Sequence, residues 1–251
     1  LNNLLVLSSD HILKNEEQFC KAVESSIKYS NKGRIVLFGV IPNRAETGYG
    51  YIKVDKKPNL ENFVAQTINN FVEKPNSNVA KKFLRDGSYL WNSGIFIFNA
   101  STFIQEMNKY SRDTYEKVKK SYDNKTKDLD FIRIEENYFS DFEGISIDKA
   151  IIEKTQLGVV LPLADGWCDI GNWLSLWENS EKDNEKNSLL GKVYSKENKN
   201  CYIRSENRMI VAFGLENIVV VETDDVVFVG DINKSQEIKE IVNDLKLRKI
   251  R

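Results

Sequence analysis

The feature that most constrains this chain is a repeated change of hydrophobic period over its first 180 residues, where apolar runs of strand length alternate with segments whose apolar residues recur every three or four positions. Residues 4–7 and 34–40 read as buried strands. Between them, residues 16–29 place Phe19, Ala22, Val23, Ser26 and Ile27 at helical spacing, which makes a crossover unit. Residues 63–68 and 71–72 surround Asn69 and Asn70, the pattern of a hairpin or bulge, and this extended stretch ends at Pro75. Asn76 and Ser77 can cap a helix that runs through Val79, Phe83 and Leu84 and stops at Gly87. Strand returns at 94–98 and 157–163, and the charged stretch 101–138 predicts two or three amphipathic covering helices. A short helix after Gly171 carries the apolar stripe Trp173, Leu176 and Trp177. The expected fold class is α/β, with helices on the faces of a sheet.

A second unit is expected beyond a break in composition. Residues 178–187 contain no apolar side chain, and we place the domain boundary there. Beyond it, residues 201–204, 209–213, 218–222 and 226–230 read as closely spaced short strands, closed by an amphipathic helix over 234–247 that carries Ile238, Ile241, Val242 and Leu245. The predicted domains are 1–180 and a small β-rich unit at 188–251, with no further internal repeat legible.

Charge and cysteine content narrow the function classes. Lys and Arg (36) nearly balance Asp and Glu (37), so no global basic field is available to bind nucleic acid, and any phosphate recognition must be local. No apolar run approaches the roughly 20 residues that span a bilayer. Cys20, Cys168 and Cys201 are widely separated and odd in number, which fits a reducing cytoplasm better than a disulfide framework. His11 is the only histidine, so a multi-histidine metal site cannot be built within this chain.

Chemistry is expected at strand ends. Asp10 follows the strand at 4–7, the sheet edge at which open α/β folds bind ligands, and Asp169 sits in a second strand-to-helix turn; two such carboxylates could clamp Mg²⁺ on a nucleotide, although an Asp after a strand is more often a cap. Glu73 and Lys74 lie side by side before Pro75 and point to opposite faces unless the chain bends there; the alternative is an exposed, unrelated charge pair. Asn92 offers donor and acceptor groups to a sugar hydroxyl, and Gly94 permits close backbone approach, against the plainer reading of a turn before a strand. Gly48 and Gly50 bracket Tyr49 and could present backbone groups to a ligand, while Asp148 could equally sit in the first turn of a helix capped by Ser146. His11 and the aromatic residues at 91, 96, 98, 173 and 177 read as structural.

Leu7-Ser8-Ser9-Asp10-His11, Glu46-Thr47-Gly48-Tyr49-Gly50-Tyr51, Phe71-Val72-Glu73-Lys74-Pro75, Trp91-Asn92-Ser93-Gly94, Ser146-Ile147-Asp148 and Asp169-Ile170-Gly171-Asn172-Trp173 resemble, in order and spacing, the sugar-nucleotide pyrophosphorylases, and most closely the mannose-1-phosphate guanylyltransferases. Ser8 stands where proline is usual. The resemblance implies a Rossmann-like nucleotide-diphospho-sugar transferase sheet plus a small C-terminal β domain, with the family's glycine-rich nucleotide loop lying before Leu1. It implies GMP transfer from GTP to mannose 1-phosphate, with Mg²⁺ on Asp10 and Asp169, Lys74 on the attacking phosphate, and Gly48, Tyr49, Glu73, Asn92, Gly94 and Asp148 on the substrate. A chain truly starting at Leu1 is expected to be inactive, and edge strands in the C-terminal unit suggest a homodimer. Three alternatives stand beside this reading: a transferase for another sugar phosphate or base, a non-catalytic regulatory relative, or a bifunctional protein whose mannose-6-phosphate isomerase domain follows residue 251.

Overall fold

A computed structural model describes residues 2–60, 63–140, 144–163 and 166–248, and its chain divides into two compact units, Leu1–Trp167 and Cys168–Arg251. The first is a three-layer α/β unit. Its centre is the strand Ile35–Val40, whose six residues are all buried, as a continuous β-branched and aromatic run requires when both sheet faces are covered. Side chains alternate between the faces. Val36, Phe38 and Val40 join the layer packed by Phe19 and Val23 of helix Glu16–Ser30 and by Ala80 and Phe83 of helix Ser77–Asp86. Ile35 and Leu37 join the opposite layer, with Phe103 and Met107 of helix Ala100–Tyr110 and the turn Asp148–Ile152.

Gly158–Leu163 pairs in parallel with Ile35–Val40, and the long strand Tyr89–Asn99 pairs antiparallel on its other side. Across the sheet the order is Gln66–Thr67, Gly158–Leu163, Ile35–Val40, Tyr89–Asn99, Tyr51–Lys53 and Asn70–Val72, with Asn3–Val6 also on the long strand. Five strand steps of about 4.8 Å would separate the outer strands by roughly 24 Å in a flat sheet. Only Ile68 and Asn69 connect those strands, a reach of about 11 Å. The sheet therefore curls.

That topology corrects two expectations. The segments flanking Asn69 and Asn70 form no hairpin with each other: Gln66–Thr67 pairs with Val159 and Val160, and Asn70–Val72 pairs with Tyr51–Lys53. Residues 4–7 are not a buried strand either. Asn3–Val6 pairs only with residues 96–99 of the long strand, and Leu4, Leu5, Val6 and Leu7 are exposed. The crossover through Glu16–Ser30 does join two strands of like direction, but Tyr89–Asn99 lies between them. The stretch 101–138 holds the expected helices, Ala100–Tyr110 and Arg112–Asp123, and also an unforeseen small hairpin, Thr126–Asp128 with Phe131–Arg133.

Caps set the helix ends as the sequence predicts. The Asn76 side chain accepts from Val79 N at 3.0 Å, and Gly87 ends that helix in the left-handed region at φ 72°.

The second unit winds as a parallel β-helix, more regular than the short-strand unit expected from its sequence. Most partners in successive coils lie 17 positions apart, as Val193 with Ile210, Lys199 with Glu216 and Tyr202 with Val219, while Ser188 pairs with Tyr202 14 positions on. Lys186, Asn200 and Asn217 fall at successive corners with φ values of 61°, 52° and 57°. Inside the coil, buried Asn187 and Asn198 satisfy turn backbone, Asn187 accepting from Cys201 N and Asn198 from Leu215 N. Val227–Asp231 closes the sheet antiparallel, and a 3₁₀ turn, Ile232–Glu237, leads into helix Ile238–Leu247. Helix Trp173–Asn179, capped by Asn172, packs Trp173 against Tyr202 in this same unit.

Candidate functional site

The long strand positions the site by breaking its own ladder. Leu37 faces Phe96 and Gly39 faces Asn92, so the one residue between them on the central strand, Phe38, is matched by three on the long one, which makes a bulge over Ser93, Gly94 and Ile95. Gly94 takes φ 69°, a conformation that glycine adopts without a Cβ penalty. Ser93 Oγ donates to Phe38 O at 2.6 Å and accepts from Ile95 N, which pins the bulge from within the sheet. Asn92 follows the strand's alternation, on the same face as Leu90: its Oδ1 accepts from Gly94 N at 3.2 Å, and its Nδ2 donates to Asp148 Oδ1 at 2.8 Å.

Asp148 begins a π-helical turn over Asp148–Ile152, a rare geometry frequent at functional sites. Burial pushes its carboxyl above the ordinary aspartate value; the Asn92 hydrogen bond opposes that rise and the nearby Glu73 charge adds to it. Glu73 arrives from the end of Asn70–Val72. The neighbouring Lys74 has φ 47°, the bend needed to bring these adjacent side chains together, and its Nζ lies 3.5 Å from Glu73 Oε1. Gly50 forms the wall opposite. A Cβ there would sit 2.6 Å from Glu73 Oε2 and 3.4 Å from Asn92 Cβ, so the position is kept open for those two polar side chains. Gly50, Glu73, Asn92 and Asp148 thus converge, with Lys74 at the rim.

The loop carrying Asp10 lies against the bulge. A Cβ on Gly94 would meet His11 Cε1 at 3.9 Å and Ser8 Oγ at 4.0 Å. His11 is structural, as expected: its Nδ1 accepts the Trp167 indole N–H at 3.2 Å, with the rings edge-on at 5.4 Å. Asp10 is 81% exposed, its Oδ1 4.0 Å from His11 Nε2. The Tyr49 ring is buried edge-on to Trp91 and Trp167, which leaves its backbone as the part a ligand can meet.

Asp169 belongs to the second unit. Its Oδ1 accepts from Gly171 N at 3.1 Å, and Ile170 between them is held at φ 47°, a costly conformation for a β-branched residue. Among the described residues no group of three or more His, Cys, Asp and Glu side chains could hold a metal ion unaided.

Sequence reasoning missed one residue of this region, Glu46. It is a buried carboxylate whose Oε1 accepts from Thr47 N and Gly48 N at 2.9 and 3.1 Å. Its identity in a glycine-bearing loop was visible, but nothing in the spacing said that it turns inward.

Comparison with known proteins places these features. A nucleotidyl transferase family model matches residues 2–186, and a model for the MannoseP isomerase/GMP-like β-helix domain matches residues 191–245. A mannose-1-phosphate guanylyltransferase of Salmonella montevideo is 43% identical over 97% of this chain and 52% of its own length. The mannose-1-phosphate guanylyltransferase of Escherichia coli K12 is 37% identical over 97% of this chain and 51% of its own. This chain therefore spans about half the length of the curated relatives it matches. A Thermus thermophilus crystal structure described as a mannose-1-phosphate geranyltransferase superposes with a TM-score of 0.81 at 27% identity, over 97% of this chain and 70% of that one. A Helicobacter pylori mannose-6-phosphate isomerase structure gives a TM-score of 0.60 at 27% identity, over 66% of this chain and 64% of that one. With the bulged strand, the site around it and the β-helix all falling inside these matches, the chain belongs to the nucleotidyl transferase family.

Proposed function

We propose that this chain is the nucleotidyltransferase part of an enzyme that transfers GMP from GTP to mannose 1-phosphate, releasing pyrophosphate. The observation that carries the reading is the convergence of Glu73, Asn92 and Asp148 on Gly50, with Lys74 at its rim. Two carboxylates and an amide suit sugar hydroxyls, which donate and accept, and they repel a phosphate. The hexose therefore enters hydroxyl end first, read by Glu73, Asn92 and Asp148 and by the backbone carbonyls at Gly48 and Tyr49, with Gly94 admitting close approach, while its phosphate stays on the Lys74 side. The Gly48 and Gly94 N–H groups are already held by Glu46 and Asn92. Lys74 orients a phosphate oxygen for in-line attack on the α-phosphorus of GTP, a reaction that needs positioning and charge neutralisation more than covalent help. Asp10 and Asp169 would hold Mg²⁺, which when bound supplies neutralising charge at the α-phosphate and the leaving pyrophosphate. The names of the relatives support mannose 1-phosphate and the guanine nucleotide. We take the domains as 1–180 and 188–251; the family model's end at residue 186 supports that limit, whereas packing groups residues from 168 onward with the second unit. Free Cys20, Cys168 and Cys201, and the lack of any helix long and apolar enough to cross a membrane among the described residues, fit a cytoplasmic enzyme.

The test is pyrophosphate release by the full encoded protein with GTP, Mg²⁺ and a panel of sugar 1-phosphates, run beside Asp169→Asn. Release should be greatest with mannose 1-phosphate and fall by about 10²-fold or more in the variant. Activity that survives the substitution would remove Asp169 from the reaction, and release with none of the sugars would overturn the reading. A second reading, mannose-6-phosphate isomerase activity, is favoured by the description of the β-helix model and by the Helicobacter structure. A histidine-rich metal site for that reaction cannot come from a chain whose one histidine is His11, so it would require residues outside this chain.

A further inference from the structure

Glu46 is tied at every polar group it owns. Its Oε1 accepts from Thr47 N and Gly48 N, and its Oε2 accepts from Arg44 Nε at 3.2 Å. Its backbone N–H donates to Tyr51 Oη at 3.0 Å, and the same hydroxyl donates back to Glu46 O at 2.8 Å. Tyr51 is fully buried, and burial raises its phenol above the ordinary value, so the hydroxyl stays a donor. The Arg44 guanidinium lies over Trp91, 5.6 Å from the ring centroid, one residue before Asn92.

The consequence falls on the loop 47–50. A Gly-x-Gly loop at a sheet edge would ordinarily be read as a nest of amides for a phosphate. Here the first two amides point inward to a carboxylate that is already charge-compensated, and they cannot donate to a ligand. The loop is shaped instead for its far end, where Gly50 O accepts from Asn92 N at 2.8 Å and the Gly50 Cα faces Glu73. That is the wall of the sugar end of the site.

We propose that Glu46 is a positioning residue for sugar recognition: it locks the loop 47–50 so that Gly50, Glu73 and Asn92 keep the spacing a hexose requires, without touching the hexose. The inference rests on the guanylyltransferase reading and deepens it. Glutamine cannot replace Glu46, because an amide whose oxygen serves Thr47 and Gly48 must turn its NH₂ toward the Arg44 N–H, donor against donor. Glu46→Gln therefore frees either the loop amides or Arg44.

The experiment measures binding of mannose 1-phosphate and of GTP by calorimetry on the full encoded protein and on Glu46→Gln, with backbone amide exchange followed over residues 44–51. The variant should bind mannose 1-phosphate about tenfold more weakly while GTP affinity changes less than about twofold, as loss of a charged hydrogen bond serving one substrate requires, and Thr47 and Gly48 should exchange faster. Equal weakening for both substrates, or unchanged sugar-phosphate affinity despite faster exchange, would reduce Glu46 to a structural brace and overturn the proposal. Wild-type protein that binds none of a panel of hexose 1-phosphates would overturn the proposed function itself, an outcome distinct from wild-type binding that the variant retains.

Discussion

Asp148 and Asn92 show what one hydrogen bond does in a half-buried site. Desolvation raises the Asp148 carboxyl, so the folded chain holds that proton more tightly than the unfolded chain does. The sign is opposite to that of a salt-bridged aspartate: with the folded value above the unfolded one, stability falls as pH rises from the ordinary value of 3.8 through the raised one. Asp148→Asn removes the buried charge while an amide oxygen can still accept from Asn92 Nδ2, so the variant should melt no lower than wild type at neutral pH and should lose that part of the pH slope. Asn92→Ala leaves the carboxyl without its donor and should cost about 1–3 kcal/mol. Thermal melts of both variants between pH 3 and 8 check this; a variant Asp148→Asn with an unchanged slope sinks the argument. The residue types at Glu73, Asn92 and Asp148 were legible in the sequence as candidates for sugar chemistry. Their convergence was not, because it depends on strand pairing that sets Gly50, Glu73 and Asn92 side by side, and on a π-helical turn 56 residues from Asn92 that presents Asp148.

Among the elements, the β-helix shows how a carboxylate can replace a coil corner's missing partners. Glu222, at the end of Ile218–Glu222, is buried, and its Oε2 accepts from the backbone N–H groups of Glu206, Asn207 and Arg208 at 2.9, 2.9 and 3.2 Å. The Asn207 N–H is the largest influence holding the carboxyl below its ordinary 4.5, burial opposes it, and the other two amides add to the lowering. A depressed folded value means stability that is present above pH 4.5 and lost as pH falls through the folded value. Glu222→Gln should therefore lower the melting temperature at pH 7 and flatten the acid-side decline. Melting curves at pH 3 to 7 test this, and an equal acid-side decline in both proteins would remove Glu222 from it. Four strands and the closing helix of this unit could be read from apolar runs and turn residues, whereas Ser188–Leu190 and Val193–Lys196 were missed. The coil repeat of 17 could not be read, because like pairs such as Asn200 with Asn217 and Ile203 on Val220 alternate with unlike ones such as Tyr202 on Val219 and Arg204 on Val221, and the first coil is three residues shorter.

At the scale of the whole molecule, the second unit carries the apolar strand faces: Tyr194, Val211 and Phe213 lie exposed on the paired strands Val193–Lys196 and Ile210–Phe213. Unpaired edges and apolar strand faces favour association, and on that ground we propose a homodimer. Sedimentation of the full protein at micromolar concentration should show it, and a monomer alone would refute it. By itself the sequence determined the elements whose signal is local: the buried runs at Ile35–Val40 and Gly158–Leu163, the helix caps at Asn76 and Gly87, the small β unit, and the residue types available for chemistry. Tertiary structure alone decided that Asn3–Val6 is an edge, that Gln66–Thr67 and Asn70–Val72 lie on opposite sides of a curled sheet, and that Glu46 turns inward. The physical reason is range: period and capping are properties of a few consecutive residues, whereas strand partners and the direction a carboxylate faces are fixed by contacts with distant segments that no local pattern encodes.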